Sequence, residues 1–428
     1  MHLRYGLIVC WIVVCSSGTA YNQDWPADSW PQWGGPNRDH KSNATGLLQQ
    51  WSKSGPALAW QFSDAGAGYS SFSVFDGKLY TLGAKDGKNF AICINIADGS
   101  EAWRTELGSV PDEESYNHGW AGGPRSTPTI AGDRVIVLDD GGTLACLDRS
   151  SGDVQWSRHL VEDFGGAIPK WGYAASPLVD KDCVVVCPGM TKFLVALDLA
   201  SGDERLASTG FEERAHYVSV VKHTVGGIPT YVTAAESGLV AFSAENGSVL
   251  WTHNGSGNAT ATVTTPILND NLVYHTSAYS TGCVLVEVTT NDGKLSARQV
   301  YKNLNQQNHH GGVVLIDEHL YGYRRRAGIV CQDFASGEIA WSERLSGDSS
   351  ASIAFADGRL YVYGESSGTC YLVEPTPVKW IEHGRVTIPK QTLLDRRQGK
   401  IWAHPVIAEG KLFLRDMDLI FAFDIAEQ

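Results

Sequence analysis

One pattern recurs along the chain and limits what it can fold into. A short apolar run ends in Asp or a substitute, Gly follows after three residues, and Trp after three more. It reads Cys93-Ile94-Asn95 with Gly99 and Trp103, then Cys146-Leu147-Asp148 with Gly152 and Trp156. It returns as Ala196-Leu197-Asp198 with Gly202 and Leu206, and as Ala241-Phe242-Ser243 with Gly247 and Trp251. It returns again as Cys331-Gln332-Asp333 with Gly337 and Trp341, and a degraded copy carries Gly293 and Ala297. Two-residue turn signals between β-rich runs form a second series: Asp76-Gly77, Gly132-Asp133, Asp180-Lys181, Gly226-Gly227, Asn269-Asp270, Asp317-Glu318, Asp357-Gly358 and Glu409-Gly410. Their mean spacing is about 48 residues, within the range of propeller blades.

A single core rarely grows past about 300 residues, so 428 residues require either separate domains or stacked units. The repeat selects stacked units. The expected fold is all-β: an eight-bladed β-propeller with four antiparallel strands per blade. In each unit Gly supplies positive φ for the turn between the third and fourth strands, Asp caps that turn, and Trp packs on the neighbouring blade. The last unit, 402–423, has three strands before the chain ends. The missing strand is Ala57-Leu58-Ala59-Trp60-Gln61-Phe62, which carries the repeat Trp with no strands before it. It is expected to complete the C-terminal blade and remove two free edges.

The expected organisation is a signal peptide over 1–20, an N-terminal strap over 21–56 and the propeller over 57–428. A basic start (His2, Arg4), the apolar run Leu7–Cys15 and small residues up to Ala20 fit a cleaved secretory leader. Lipidation at Cys15 is the alternative, with bulky Val14 preceding it. The leader places the protein in the periplasm or outside the cell. Its removal leaves seven of nine cysteines. Cys93, Cys146 and Cys331 stand where other blades carry Ala, so they read as small buried fillers on separate blades. Cys183 and Cys187 lie too far apart on one strand to bridge and read as core. A net charge of −13 argues against nucleic-acid binding, and no run is long enough to span a bilayer.

The repeat unit resembles the pyrroloquinoline-quinone (PQQ)-type propeller repeat, which builds quinoprotein alcohol dehydrogenases and the outer-membrane-assembly scaffold BamB. The resemblance covers residues 58–425. The strings Trp33-Gly34-Gly35-Pro36-Asn37-Arg38, Gly123-Pro124-Arg125-Ser126-Thr127-Pro128, Asn308-His309-His310-Gly311-Gly312 and Ala403-His404-Pro405 resemble exported PQQ-like repeat proteins of planctomycete-type bacteria.

Residues entering each innermost strand should line the channel mouth. They include Tyr69, Trp120, Arg125, Trp171, Tyr173, His216, Asn308, His309, His310, Trp402 and His404. Trp120, Trp171 and Trp402 are the tryptophans that neither the repeat, the strap, the leader nor the irregular seventh blade (Trp380) accounts for. Aromatics and imidazoles around one Arg suit a small-ligand pocket, and they would equally suit a channel plug. Arg125 is the expected anion anchor. His309 and His310 should face opposite ways on an extended strand, so a metal would need His216 or His404 as partner; no metal is expected.

The resemblance implies two functions. One is a binding or scaffold module without a redox cofactor, whose partner is a small ligand or an envelope protein. The other is a PQQ-dependent dehydrogenase acting on alcohols or sugars, with PQQ and calcium at the mouth. Dehydrogenases of this kind carry an adjacent Cys-Cys pair and a Glu, Asn and Asp calcium site. No adjacent Cys-Cys and no Cys-x-x-Cys-His occurs here. Asp112, Glu113 and Glu114 read as a solvated loop, and Asp139-Asp140-Gly141-Gly142 as a hairpin tip. The module is the favoured expectation.

Overall fold

The computed structural model describes residues 25–427. The leader expected over 1–20, with Cys15, lies outside them. Eight four-stranded antiparallel sheets follow one another around a ring. Blades 1 to 7 occupy 73–109, 129–159, 178–207, 221–254, 267–303, 308–343 and 351–387. Blade 8 joins Val406–Ala408, Lys411–Asp416 and Leu419–Asp424 to Ala57–Phe62. In that blade Leu58 pairs with Phe423 and Phe62 with Ile420. The ring is thus closed by the strand expected to close it. Each expected two-residue turn marks a connection between first and second strands; six fall wholly within it, and at Asp180 and Asn269 the turn lies one residue later, at 181–182 and 270–271. No helix among the described residues is long and apolar enough to cross a membrane.

Strand alternation builds the inter-blade core. Successive side chains of a strand point to opposite faces. In blade 2, Val135, Val137, Ala145 and Leu147 pack against blade 1 residues Tyr80, Leu82, Ala91 and Cys93. Their sequence neighbours Ile136, Leu138 and Cys146 pack against Val184, Val186 and Leu197 of blade 3. Each blade is therefore buried on both faces and needs only its neighbours, as in other repeat architectures. All seven cysteines described are free, and six are buried. Cys183 departs from the core expectation: it is half-buried, beside Arg205.

The repeat Gly does more than turn the chain. A Cβ at Gly99, Gly152 or Gly202 would stand 2.7 Å from the ring of Trp60, Trp103 or Trp156 on the preceding blade. Trp60 Nε1 donates to Ile96 O (2.7 Å), Trp103 Nε1 to Arg149 O (3.1 Å) and Trp156 Nε1 to Leu199 O (3.0 Å). The pattern Gly-x-x-x-Trp thus encodes a socket for the previous blade and a plug for the next. Blade 5 corrects one expectation. Its plug is Tyr301, whose hydroxyl donates to Phe334 O (3.0 Å) above Gly337, not Ala297. Its outer strands, Gly282–Asn291 and Lys294–Asn303, run ten residues each, which moves the turn at Gly293 farther from the socket.

Residues 25–51 lie across the face of the hairpin turns. Trp30 bridges Val74, Lys41 bridges Phe355 and Leu47 bridges Ala426. Arg38 is buried and donates to Gln32 Oε1, Pro177 O and Ser176 O at 2.9 to 3.1 Å. No acid among the described residues pairs with it, and burial lowers its pKa to about 9. Gly34 and Gly35 have φ of +71° and +80°. A Cβ at Gly35 would meet Lys41 O at 2.6 Å, so the Gly-Gly pair makes the tight loop that sends Trp33 into the channel.

Candidate functional site

Innermost strands start at the opposite face, and the segments feeding them surround a cavity of about 860 Å³, counting the space open to solvent. Eight of the eleven residues expected at the mouth line it: Tyr69, Trp120, Arg125, Trp171, His309, His310, Trp402 and His404. The other three lie outside the wall. Tyr173 is buried, with its hydroxyl on Pro188 O (2.9 Å). His216 is half-buried, and its Nδ1 accepts the Thr262 N–H (3.1 Å).

Asn308 is 1% exposed and holds the backbone of a bulge. Its Nδ2 donates to Gly312 O (2.8 Å) and Tyr323 O (3.2 Å), and its Oδ1 accepts from Gly312 N (3.1 Å). Between the pairs Asn308–Arg324 and Val313–Gly322 the first strand carries three extra residues. Gly311 fits because a Cβ there would stand 1.7 Å from Ala351 O, and Gly312 takes φ +76°. The bulge breaks the alternation assumed for this strand. Both His309 and His310 face the cavity, with their Nδ1 atoms 3.3 Å apart. This corrects the expectation of opposite faces.

Further wall residues come from places the repeat does not mark. Trp33 enters from the N-terminal segment; its Nε1 donates to Thr265 Oγ1 (2.9 Å) and its ring meets His404 edge-on at 4.5 Å. His40 stacks behind His404 at 5.0 Å. Tyr279 lies between the second and third strands of blade 5, and Tyr217 precedes blade 4. Glu365, in the corresponding connection of blade 7, is 4% exposed and accepts from Trp402 Nε1 (3.0 Å) and Ser349 Oγ (2.6 Å).

Arg125 is held without an acid. Its guanidinium lies 4.9 Å from the Tyr69 ring centroid, its NH2 donates to Ala121 O (2.7 Å), and its Nε has no partner. Tyr69 donates to Trp120 O (2.9 Å) and packs on Trp402 at 5.0 Å. Burial pushes the Tyr69 hydroxyl up to about 12, against the pull of Arg125. Lys170 lies over Trp171 (4.9 Å) and Arg325 over Tyr279 (5.3 Å). Burial lowers His309 and His404 to about 4, and Arg325 adds to the effect on His309. It holds His310 and His40 well below their usual value. These imidazoles are therefore neutral at pH 7, and among the described residues the cation in the wall is Arg125, with Lys170 and Arg325 set against the wall residues Trp171 and Tyr279.

The acids near the mouth differ from expectation in one respect. Glu113 pairs at the surface with Arg397. Asp139 and Asp140, read as a hairpin tip, are buried. Asp139 Oδ1 accepts the N–H of Gly141, Gly142 and Thr143 at 2.7 to 3.0 Å, and burial raises it to about 6. Asp140 holds Tyr116 and Asn89. Asp139 thus shapes its own connection, whereas Asp140 ties that connection to blade 1 and to the segment before blade 2.

A family model described as outer membrane protein assembly factor BamB matches residues 44–210, 88–343 and 284–396. No curated protein matches the chain. Among solved structures, BamB from Moraxella catarrhalis aligns at 14% identity and TM-score 0.59, covering 87% of this chain and 98% of that one. Quinohemoprotein alcohol dehydrogenase from Comamonas testosteroni aligns at 11% identity and TM-score 0.63, covering 94% and 81%. The computationally designed Ika8 protein aligns at 12% identity and TM-score 0.57, covering 86% and 100%. At these identities the likeness is one of fold.

Proposed function

This chain belongs to the PQQ-repeat family described as outer membrane protein assembly factor BamB, and we propose that it is an exported binding module whose channel mouth holds a small, planar anion. The observation that carries this reading is Arg125. Its charge is fixed by stacking on Tyr69 and by one backbone carbonyl, and no carboxylate among the described residues pairs with it. Such a guanidinium is preorganised for a carboxylate or phosphate. The flanking Trp120, Trp171, Trp402 and Tyr217 offer faces for a flat ring. Trp171 Nε1 and Arg125 Nε are donors without acceptors.

PQQ with calcium, the cofactor of the quinoprotein reading, fits in part. Arg125 and the aromatic faces suit a planar tricarboxylate. Calcium takes about six to eight oxygen ligands, whereas the acid grouped with the mouth is Glu365, in company with His309 and His310. The donor set does not suit calcium, so the dehydrogenase stands second to the binding module.

The test is quenching of tryptophan fluorescence by two probes, PQQ and benzene-1,3,5-tricarboxylate, with and without calcium. Saturable quenching by at least one probe, weakened at least tenfold in Arg125→Gln, is expected. Absence of saturation with both at millimolar concentration overturns the reading. Binding that depends on calcium would instead favour the dehydrogenase.

A further inference from the structure

We infer that His309, His310 and Glu365 form a site for a divalent transition cation of the zinc or ferrous-iron kind. One ligand atom from each lies within 4.8 Å of the other two. The two Nδ1 atoms are 3.3 Å apart. Two nitrogens each about 2.1 Å from a tetrahedral ion stand about 3.4 Å apart, so the pair is already spaced for one. The Glu365 carboxylate is the third ligand of the set, held in place by Ser349 Oγ and Trp402 Nε1.

Two further observations point to a cation. Glu365 is 4% exposed, yet its partners, Ser349 Oγ and Trp402 Nε1, are neutral. A buried carboxylate without a counter-charge is unfavourable, and a bound cation removes that penalty. His310 Nδ1, the atom offered to the ion, meets only His309 Nδ1 (3.3 Å) and the neutral Ser350 Oγ (3.4 Å). The groups around the three side chains suit an outer shell that orients ligands. Tyr279 Oη holds His309 Nε2 (2.9 Å), Trp402 and Ser349 hold Glu365, and His404 Nε2 holds the His310 carbonyl (3.0 Å).

Two imidazoles with one carboxylate select zinc or iron over calcium or magnesium, which prefer oxygen alone. Three protein ligands leave a coordination position open. That position faces the cavity, because His309 and His310 form part of its wall. The bulge at Gly311-Gly312 makes the site: an unbroken strand would turn one histidine away.

The experiment uses the purified, untagged chain, stripped with a chelator and titrated with Co²⁺ alone. Its visible ligand-field bands report nitrogen coordination. One equivalent is expected to bind and to be displaced by Zn²⁺, but not by a hundredfold excess of Ca²⁺. His309→Gln and Glu365→Gln, each checked for an unchanged melting temperature, should weaken binding at least tenfold. Arg125→Gln should leave it unchanged, so this result is independent of the anion reading. No saturable band in the unaltered chain overturns the proposal. So does binding unaffected by both ligand variants, or displacement by Ca²⁺ at equal concentration.

Discussion

The tryptophans of the repeat and those of the mouth are the same residue in opposite circumstances. Trp60, Trp103 and Trp156 lie over a glycine of the next blade and give their N–H to a backbone carbonyl there. Trp171 borders a cavity, and its N–H has no partner. Trp402 donates to Glu365, a side chain outside the repeat pattern. These three periodic residues are satisfied by the unit that follows each of them. A residue outside the period must find its partner in a connection, in the strap or in a ligand. Departure from the repeat therefore marks the mouth better than residue type does.

Substitutions can break this comparison, and the largest effect belongs to the repeat. Trp156→Ala should lower unfolding free energy by about 3–5 kcal/mol while leaving fluorescence titrations of the mouth unchanged. Denaturant unfolding checks the first half, and a stability loss under about 1 kcal/mol would deny the plug role. Gly202→Ala attacks the socket, where φ is +71° and the Trp156 ring stands 2.7 Å from the added methyl. Its expected loss is about 1–3 kcal/mol. Trp171→Leu should reverse the pattern: a stability change within about 1 kcal/mol, with probe binding weakened at least tenfold.

Acidification separates the two regions without substitution. His275 and His404 are buried, and burial lowers each to about 4. Unfolded histidine titrates near 6.5, so the unfolded chain binds more protons between those values. Their contribution to stability is whole above pH 6.5 and is lost as pH falls towards 4. Asp148, in a repeat turn, is lowered to about 2 by hydrogen bonds from Ser150 and Ser151. Its contribution is whole above its unfolded value near 4 and is lost towards pH 2. Melting temperature followed against pH should show a shallower decline between 6.5 and 4 in His275→Gln, which keeps a donor for Thr264 O. An unchanged slope would remove the histidine from the account.

The ring was readable because its determinants recur. Eight turn pairs, the Gly-to-Trp spacing and the lone Trp60 strand were enough to set blade number and closure. The mouth was readable where its residues precede or open innermost strands, as with Tyr69, Arg125, Trp402 and the pair His309-His310. Glu365 and Tyr279 come from second-to-third strand connections, which carry no periodic signal and face the same way. Trp33 looks like part of the strap, and nothing local announces that Gly34-Gly35 turns it inward. The paired histidines escape the alternation rule for a definite reason. Strand alternation holds only in an unbroken strand, and the adjacent Gly311-Gly312 is the available sign of a break. Tyr301 stands off the repeat position because a longer hairpin changes the distance from turn to plug.

Closure also imposes an order of events. Ala57–Phe62 pairs with Leu419–Asp424, so segments about 360 residues apart in sequence meet in one blade. During synthesis Ala57–Phe62 must wait for Leu419–Asp424 to emerge. Seven blades can form by local pairing, each within its own stretch of sequence. The eighth has to recruit a segment made hundreds of residues earlier. A nascent propeller therefore presents an open flank until this step, and loss of Leu419–Asp424 would leave the strand that began the ring without a place to dock.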